Sequence, residues 1–328
     1  MTTQLSKSSS PSLFIEQARR VWRHGDRLYQ FFLVLAAISV MTLVLGIGYE
    51  LWQNSALSRH AFGWKFLVTS DWDPALNDVF GALPFIYGTL LTSTIALLVA
   101  IPLGVGTAIF LAEIAPDWLS QPLGFLAELL AAVPSVVYGL WGLFVYIPLF
   151  VRPTSQFLNK TLGFLPLFEG PVFGPSRLAA GLLLAIMVFP TITAVSRDVL
   201  RAIPGSQREA SLALGATRWE MIAQVLLPYG SSGLLGAVIL GLGRALGETV
   251  AVTMVIGNNL DLSASLLHPG YTMASVIANE FTEATFDLYL HALIEVGLIL
   301  FVISLLINLV ARLLIWRVSQ RTKVDIRA

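Results

Sequence analysis

The sequence has no cysteine in its 328 residues, which excludes disulfides, thiolate metal ligands and cysteine nucleophiles. Charge is scarce as well. Only 12% of residues are Asp, Glu, Lys or Arg, against about 25% in soluble domains. The two signs balance at 20 each, so the chain lacks the basic surplus typical of a nucleic-acid partner. The only lysines are Lys7, Lys65, Lys160 and Lys323, which follow Ser6, Trp64, Asn159 and Thr322. A Walker A loop requires a Gly-Lys step, so the chain cannot hydrolyse nucleotide through one. His24, His60, His268 and His291 form no HExxH or related ligand spacing. No nucleophile–base pair falls in the apolar stretches. The chain therefore reads as non-catalytic, with no bound cofactor or metal expected.

What the sequence does have is apolar length. It is 56% hydrophobic, with a mean hydropathy of +0.76. A soluble core of this size could not hide so many apolar side chains, so a bilayer is the natural solvent. Apolar stretches lie at about 31–50, 83–112, 123–150, 178–198, 232–257 and 290–316. Each reaches the ~20 residues needed to cross a ~30 Å hydrocarbon core. The expected fold is an all-α membrane protein with six transmembrane helices. Pro102 and Pro134 predict kinks in the second and third spans, and Pro190-Thr191 marks a break in the fourth. Residues 1–30 read as a polar, partly disordered tail, too long and too charged for a cleaved signal.

Basic residues set the orientation. With an N-terminus inside, fourteen Lys and Arg fall on the inner side and five on the outer, leaving Arg244 within a span. This predicts N-in/C-in. Glu113 and Glu128 read as interfacial residues at the acidic second inner loop. The outer stretch 258–289 holds "HPGYTMASVIANEF", read as a short helix on the outer face. Trp52, Trp64, Tyr146, Tyr271 and Trp316 read as interface anchors.

The inner loop between spans four and five carries two capping-box patterns, Ser206 with Glu209 and Thr217 with Glu220. Gly215 sits between them, where a left-handed residue ends a helix, and Pro228 predicts a stop after the second. The result is a helix–turn–helix element presenting Leu212, Leu214, Ala216 and Trp219. An apolar knob of this kind suits a groove on another protein; an amphipathic connector lying in the headgroups is the alternative.

Span five reads Gly241-Leu-Gly243-Arg244-Ala-Leu-Gly247-Glu248. Arg244 would lie about 12 residues, or roughly 18 Å, into the helix. Placing a charge there costs ~2.5–3.5 kcal/mol, which marks a functional residue by default. Glu248 at i+4 would share its face and could neutralise it. A planar guanidinium fits an oxyanion. The alternative is a pair that only fixes helix packing. Gly243 and Gly247 form a small-xxx-small step that admits a close helix.

The segment Glu209-Ala210-Ser211-x3-Gly215-x9-Val225-x-Leu227-Pro228 resembles the coupling loop of bacterial ABC importer permeases, with Ser and Val where that motif has Ala and Ile. "GLGRALGETVAVTMVIGN" resembles the fifth span of the phosphate-specific permeases, the C subunits of the Pst system. "AVPSVVYGLWG", "FPTITAVSRDVLRAIP", "GATRWE" and "ASVIANEF" add to the likeness, which covers about 84–316.

The resemblance implies a type I ABC importer permease of MetI-like architecture in the bacterial inner membrane. The spans and their orientation put a periplasmic loop at 51–82 and a cytoplasmic tail at 317–328 on either side of a permease core at 83–316. Within that core the resemblance implies a coupling loop at 199–230. Partners would be a homologous A-subunit permease, an ATP-binding subunit dimer and a periplasmic phosphate-binding protein. Arg244 and Glu248 would line the substrate pathway. Glu209, Ala210, Gly215, Arg218 and Trp219 would meet the ATPase. An importer of another oxyanion, such as sulfate or molybdate, and an ATPase-independent secondary transporter are the rival readings.

Overall fold

The computed structural model describes residues 11–75 and 78–325, with side chains described between 29 and 317. Six helical stretches are long and apolar enough to cross a membrane: Tyr29–Asn54, Leu83–Ile114, Ser135–Leu162, Arg177–Arg201, Arg218–Gly247 and Asp287–Arg317. Two isolated β-bridges, Asp73 with Val79 and Gly257 with Gly270, are the only strand-like pairings among the described residues. The chain is a multi-pass membrane protein.

Helix α1, Pro11–Asn54, belongs to a first compact unit that ends at Gln53. The segment read as a tail is thus helical from Pro11, and residues 1–10 lie outside the described residues. Phe31, Leu33, Leu35, Ile38, Val40 and Leu43 are all exposed, as befits a helix solvated by lipid.

The second unit, from Asn54 on, is organised around α8, Arg177–Arg201. Its preceding helices are α2 (Ala56–Phe62), α3 (Lys65–Val68), α4 (Leu83–Ile109), α5 (Asp117–Ala132), α6 (Ser135–Trp141) and α7 (Arg152–Leu162). After α8 come α9 (Gly205–Ala213), α10 (Arg218–Glu220), α11 (Leu227–Gly247), α12 (Val250–Ile256), α13 (Met273–Glu280) and α14 (Asp287–Asp325).

Three apolar clusters run along the bundle. The central one packs Ala96 and Ala100 of α4 and Tyr138 of α6 around Leu183, Leu184, Met187, Val188 and Ile192 of α8, with Val252 and Val255 of α12. At one end, Phe66, Trp72, Phe80 and Phe85 meet Met273 and Val276 of α13 and Tyr289 and Leu293 of α14. At the other, Ala108, Leu200 and Ile203 close on Met221, Ile222 and Leu226 beside the 202–217 loop.

Three expectations about prolines and boundaries need correction. The third apolar stretch is not one span. It breaks at Val133-Pro134, and the crossing helix begins at Ser135, because a residue before proline is pushed out of the helical region. Pro190 lies inside an unbroken α8. Pro228 stops nothing: α10 runs through a π-helical turn, Met221–Leu226, into α11, where Pro228 sits in the first turn. The proline is accommodated because the wider π-helical turn just before it relieves the clash of its ring with the preceding turn. The stretch 317–328 continues α14 to Asp325. The short helix expected in "HPGYTMASVIANEF" is present as α13, capped by Thr272 and Ser275.

Candidate functional site

Span five does not continue as the sequence suggests. α11 ends at Gly247, and Glu248 leaves the helix at φ −71°, ψ 122°. α12 resumes at Val250 and closes at Gly257. The Glu248 carboxylate folds forward to accept the Ala251 N–H at 3.4 Å. Arg244 therefore stands in the last turn before a break rather than mid-way along a continuous span. The expected neutralisation by Glu248 fails for the same reason, since the i+4 relation requires four helical residues between them. Ion pairs among the described residues include Arg197–Glu128, Arg197–Asp198 and Arg208–Glu113.

Two groups from other helices hold Arg244. Nη1 donates to Thr191 Oγ1 at 3.1 Å and to the Ala131 carbonyl at 3.2 Å. Each acceptor has a local cause. Ala131 is in the final turn of α5, where carbonyls lack an intrahelical donor. Thr191 follows Pro190 on the face of α8 turned toward α11. Both contacts use the same guanidinium nitrogen. Nε and Nη2 donate to no acceptor among the described residues, and the side chain is half-buried. Ideal Cβ atoms on Gly243 and Gly247 would meet nothing within 4 Å, so within this chain the small-xxx-small step faces open space.

The second element is the 202–217 loop. α9 begins at Gly205 behind Pro204, two residues too early for Ser206 to act as a cap, so the first expected capping box is absent. The second is present: Thr217 N donates to Glu220 Oε2 at 2.8 Å and Glu220 N to Thr217 Oγ1 at 3.3 Å. Gly215 adopts φ +87°, the left-handed joint that bends α9 away from α10. The turn projects apolar side chains, with Leu214 90% and Trp219 66% exposed. Glu209, Ala210 and Arg218 are exposed on the same element.

Sequence reasoning missed how this loop is anchored. Arg208 turns inward and grips Glu113, whose side chain is 6% exposed, with Nη2–Oε1 at 2.7 Å and Nε–Oε2 at 3.0 Å. It also donates to the carbonyls of Leu200 and Ile203. The Glu113 hydrogen bond raises the guanidinium pKa above its ordinary value. Arg197 pairs with Glu128 at 2.7 Å, and Arg201 donates to Ser120 Oγ at 2.7 Å. Glu113 and Glu128, read from the sequence as interfacial, each pair with an arginine of another helix. The i, i+4 repeats Ser120–Gly124–Glu128 and Arg197–Arg201 were the available signal.

At the far end of the bundle, Glu280 of α13 accepts Trp72 Nε1 at 2.7 Å and Tyr289 OH at 2.8 Å. Burial pushes its carboxyl above the ordinary range, while the Tyr289 and Trp72 donors act against that. Nearby, a cavity of about 860 Å³ is lined by Ser70, Asp71, Trp72, Asp73, Val79, Leu260, Asp261 and Leu262. No group of three or more His, Cys, Asp or Glu able to hold a metal ion occurs among the described residues.

The geometry is that of a multi-pass helical membrane protein with one span broken beside a held arginine and a projecting capped loop. Residues 100–324 match the family described as "Binding-protein-dependent transport system inner membrane component". The fold has solved counterparts. A chain of the bacterial alginate ABC transporter superposes with TM-score 0.57 at 18% identity, over 89% of this chain and 96% of that one. A chain of the inward-facing MetNI methionine ABC transporter gives TM-score 0.52 at 18% identity, over 71% and 93%. Among curated relatives, the phosphate transport system permease protein PstC of Mesorhizobium japonicum is 46% identical over 88% of this chain and 89% of its own. That of Pasteurella multocida is 45% identical over 92% of each, and a probable PstC of Methanocaldococcus jannaschii is 39% identical over 85% and 90%. The chain belongs to the PstC family of phosphate transport system permeases.

Proposed function

We propose that the chain is the C-type permease of an ATP-driven phosphate importer in the bacterial inner membrane, oriented N-in/C-in. It pairs with a homologous A-type permease so that both line one pathway. A separate ATP-binding subunit dimer docks on the 199–230 loop, and a periplasmic phosphate-binding protein delivers the anion. The names of its relatives support the substrate, and the exposed Leu214 and Trp219 on a rigid, capped turn support the docking.

The observation that carries the assignment is the state of Arg244. One nitrogen is fixed by Thr191 and Ala131, while the rest of the fork remains free for a ligand. Guanidinium binds phosphate through parallel charge-assisted hydrogen bonds, and a pre-held arginine loses less entropy on doing so. Glu248, released from the helix beside it, can accept a hydrogen bond from a protonated phosphate oxygen. Closure of the ATP-binding dimer would move the loop through Trp219, Arg218, Glu209 and Ala210 about the Gly215 joint. The spans would then alternate the access of the site between the two sides.

The test is labelled phosphate uptake in cells lacking the chain, complemented with wild type or Arg244→Gln, with excess sulfate present. Uptake restored by wild type, indifferent to sulfate and lost in the variant supports both substrate and site. Competition by sulfate would reassign the substrate to another oxyanion. Uptake without a co-purifying ATPase would favour a secondary transporter.

A further inference from the structure

Helix α5 buries a single narrow stripe, Ser120, Gly124 and Ala127, and Glu128 and Ala131 continue it by helical spacing. Arginines meet this stripe at each level. At its start, Arg201 Nη2 donates to Ser120 Oγ at 2.7 Å. Further along, the Arg197 guanidinium lies across Gly124 so closely that a Cβ there would stand 1.7 Å from Nη1. The same guanidinium reaches Glu128 at 2.7 Å and Asp198 at 3.1 Å. At the end of the stripe, the Ala131 carbonyl accepts Arg244, which also holds Thr191 of α8. From Ser120 to Ala131 α5 rises about 16 Å, and from Arg201 back to Thr191 α8 spans about 15 Å, at 1.5 Å per residue. The two helices run antiparallel and in register over this length.

The placement of Arg197 is unusual for a charge that only pairs at a surface. Its side chain is 9% exposed, although that of its partner Glu128 is 54% exposed. The guanidinium fills the seam between the helices, and the missing side chain of Gly124 is what admits it. Arg201, Arg208 and their partners Ser120 and Glu113 join the same seam to the 202–217 loop.

We propose that Arg197 and Glu128 are positioning residues for substrate. By fixing α5 against α8 they set the Ala131 carbonyl, and the carbonyl sets the angle at which Arg244 presents its free donors. Movement of the loop then reaches Arg244 through a stiff helix, without any contact between the loop and the anion. This inference rests on the assignment of Arg244 to the substrate pathway.

The experiment is labelled phosphate uptake by the complete transporter in proteoliposomes, with Gly124→Ala, Glu128→Gln, Arg244→Lys and the double variant Glu128→Gln/Arg244→Lys. Gly124→Ala asks only the flexible end of Arg197 to move, and Glu128 is half exposed, so both variants leave the bundle core in place. Each should raise the KM for phosphate by about five- to tenfold, as expected when an oriented donor is mispointed, with the amount of assembled transporter unchanged. Glu128→Gln should add nothing on the Arg244→Lys background, because coupled residues are not additive. An unchanged KM in both single variants overturns the proposal, as does an additive double variant. Loss of assembled transporter in both would make the seam a purely structural brace and overturn it too. A normal KM in Arg244→Lys would instead remove Arg244 from the pathway, which separates failure of the assignment from failure of this inference.

Discussion

Thr191 Oγ1 and Arg244 Nη1 lie 3.1 Å apart, tying the middle of α8 to the last turn of α11 just before span five leaves the helix. The contact fixes one end of a guanidinium and leaves the other available. Hydrogen bonds to charged groups contribute about 1.5–3 kcal/mol, so Thr191→Val should weaken phosphate uptake about tenfold or more. Thr191→Ser retains the hydroxyl and should recover most of it. Uptake kinetics of the two variants side by side check this, and equal behaviour would dismiss the hydroxyl.

Gly215 gives a cleaner case, because nothing lies within 4 Å of where its Cβ would be and its φ is +87°. Any penalty for a side chain there is conformational, not steric. A left-handed L-residue costs roughly 1–2 kcal/mol, more when β-branched. Gly215→Val should lower uptake with the chain still in the membrane, whereas Gly215→Asn should be tolerated best. Transport measured against the amount of assembled complex distinguishes a shifted joint from a lost protein.

Removing the Glu113 carboxylate should loosen the loop without touching its exposed face. Arg208 would keep its two carbonyl acceptors but lose the bidentate charged partner. Breaking a buried pair of this kind costs about 3–5 kcal/mol when one charge is stranded. The carbonyls and partial exposure of Arg208 argue for the lower part of that range. Glu113→Gln should therefore lower the thermal unfolding midpoint of the purified complex and raise protease sensitivity near residues 205–215.

Glu280 should impose a pH dependence on stability. Its folded pKa is raised by burial, so the folded state resists ionisation that the unfolded chain accepts from about pH 4.3 upward. The sign is then that of a raised acid. Stability is greatest below the unfolded pKa, falls as pH rises toward the folded pKa, and is level above it. Glu280→Gln keeps an acceptor for Trp72 and Tyr289 and should flatten that slope. Thermal unfolding of wild type and variant from pH 4.5 to 7 checks it, and parallel curves would refute it.

Much of this protein is legible in its amino-acid order. The apolar stretches locate four of the six spans to within a few residues, because hydrocarbon sets a length that composition alone reveals. The Thr217–Glu220 box and the Gly215 joint are local features, decided by residues within one turn, and both appear as read. The third stretch misled because apolar content is continuous across Val133-Pro134 while the helix is not. Span five misled for a related reason. Nothing in Gly247-Glu248-Thr249 forbids a helix, and its break accompanies the packing of α12 against α8 and α6, where Val252 and Val255 are buried.

The sequence by itself thus determined that the chain is a six-span helical membrane protein, where its projecting loop bends, and that Arg244 sits within a span. Those follow from solvent, backbone propensity and spacing, all properties of neighbouring residues. Only the tertiary structure decided who partners the charges. Arg244 takes Thr191 and Ala131 in place of Glu248, Arg208 takes Glu113, and Arg197 takes Glu128. A long guanidinium can reach acceptors on several helices, and which one it finds depends on how the helices pack, which is set by contacts between residues far apart in the chain.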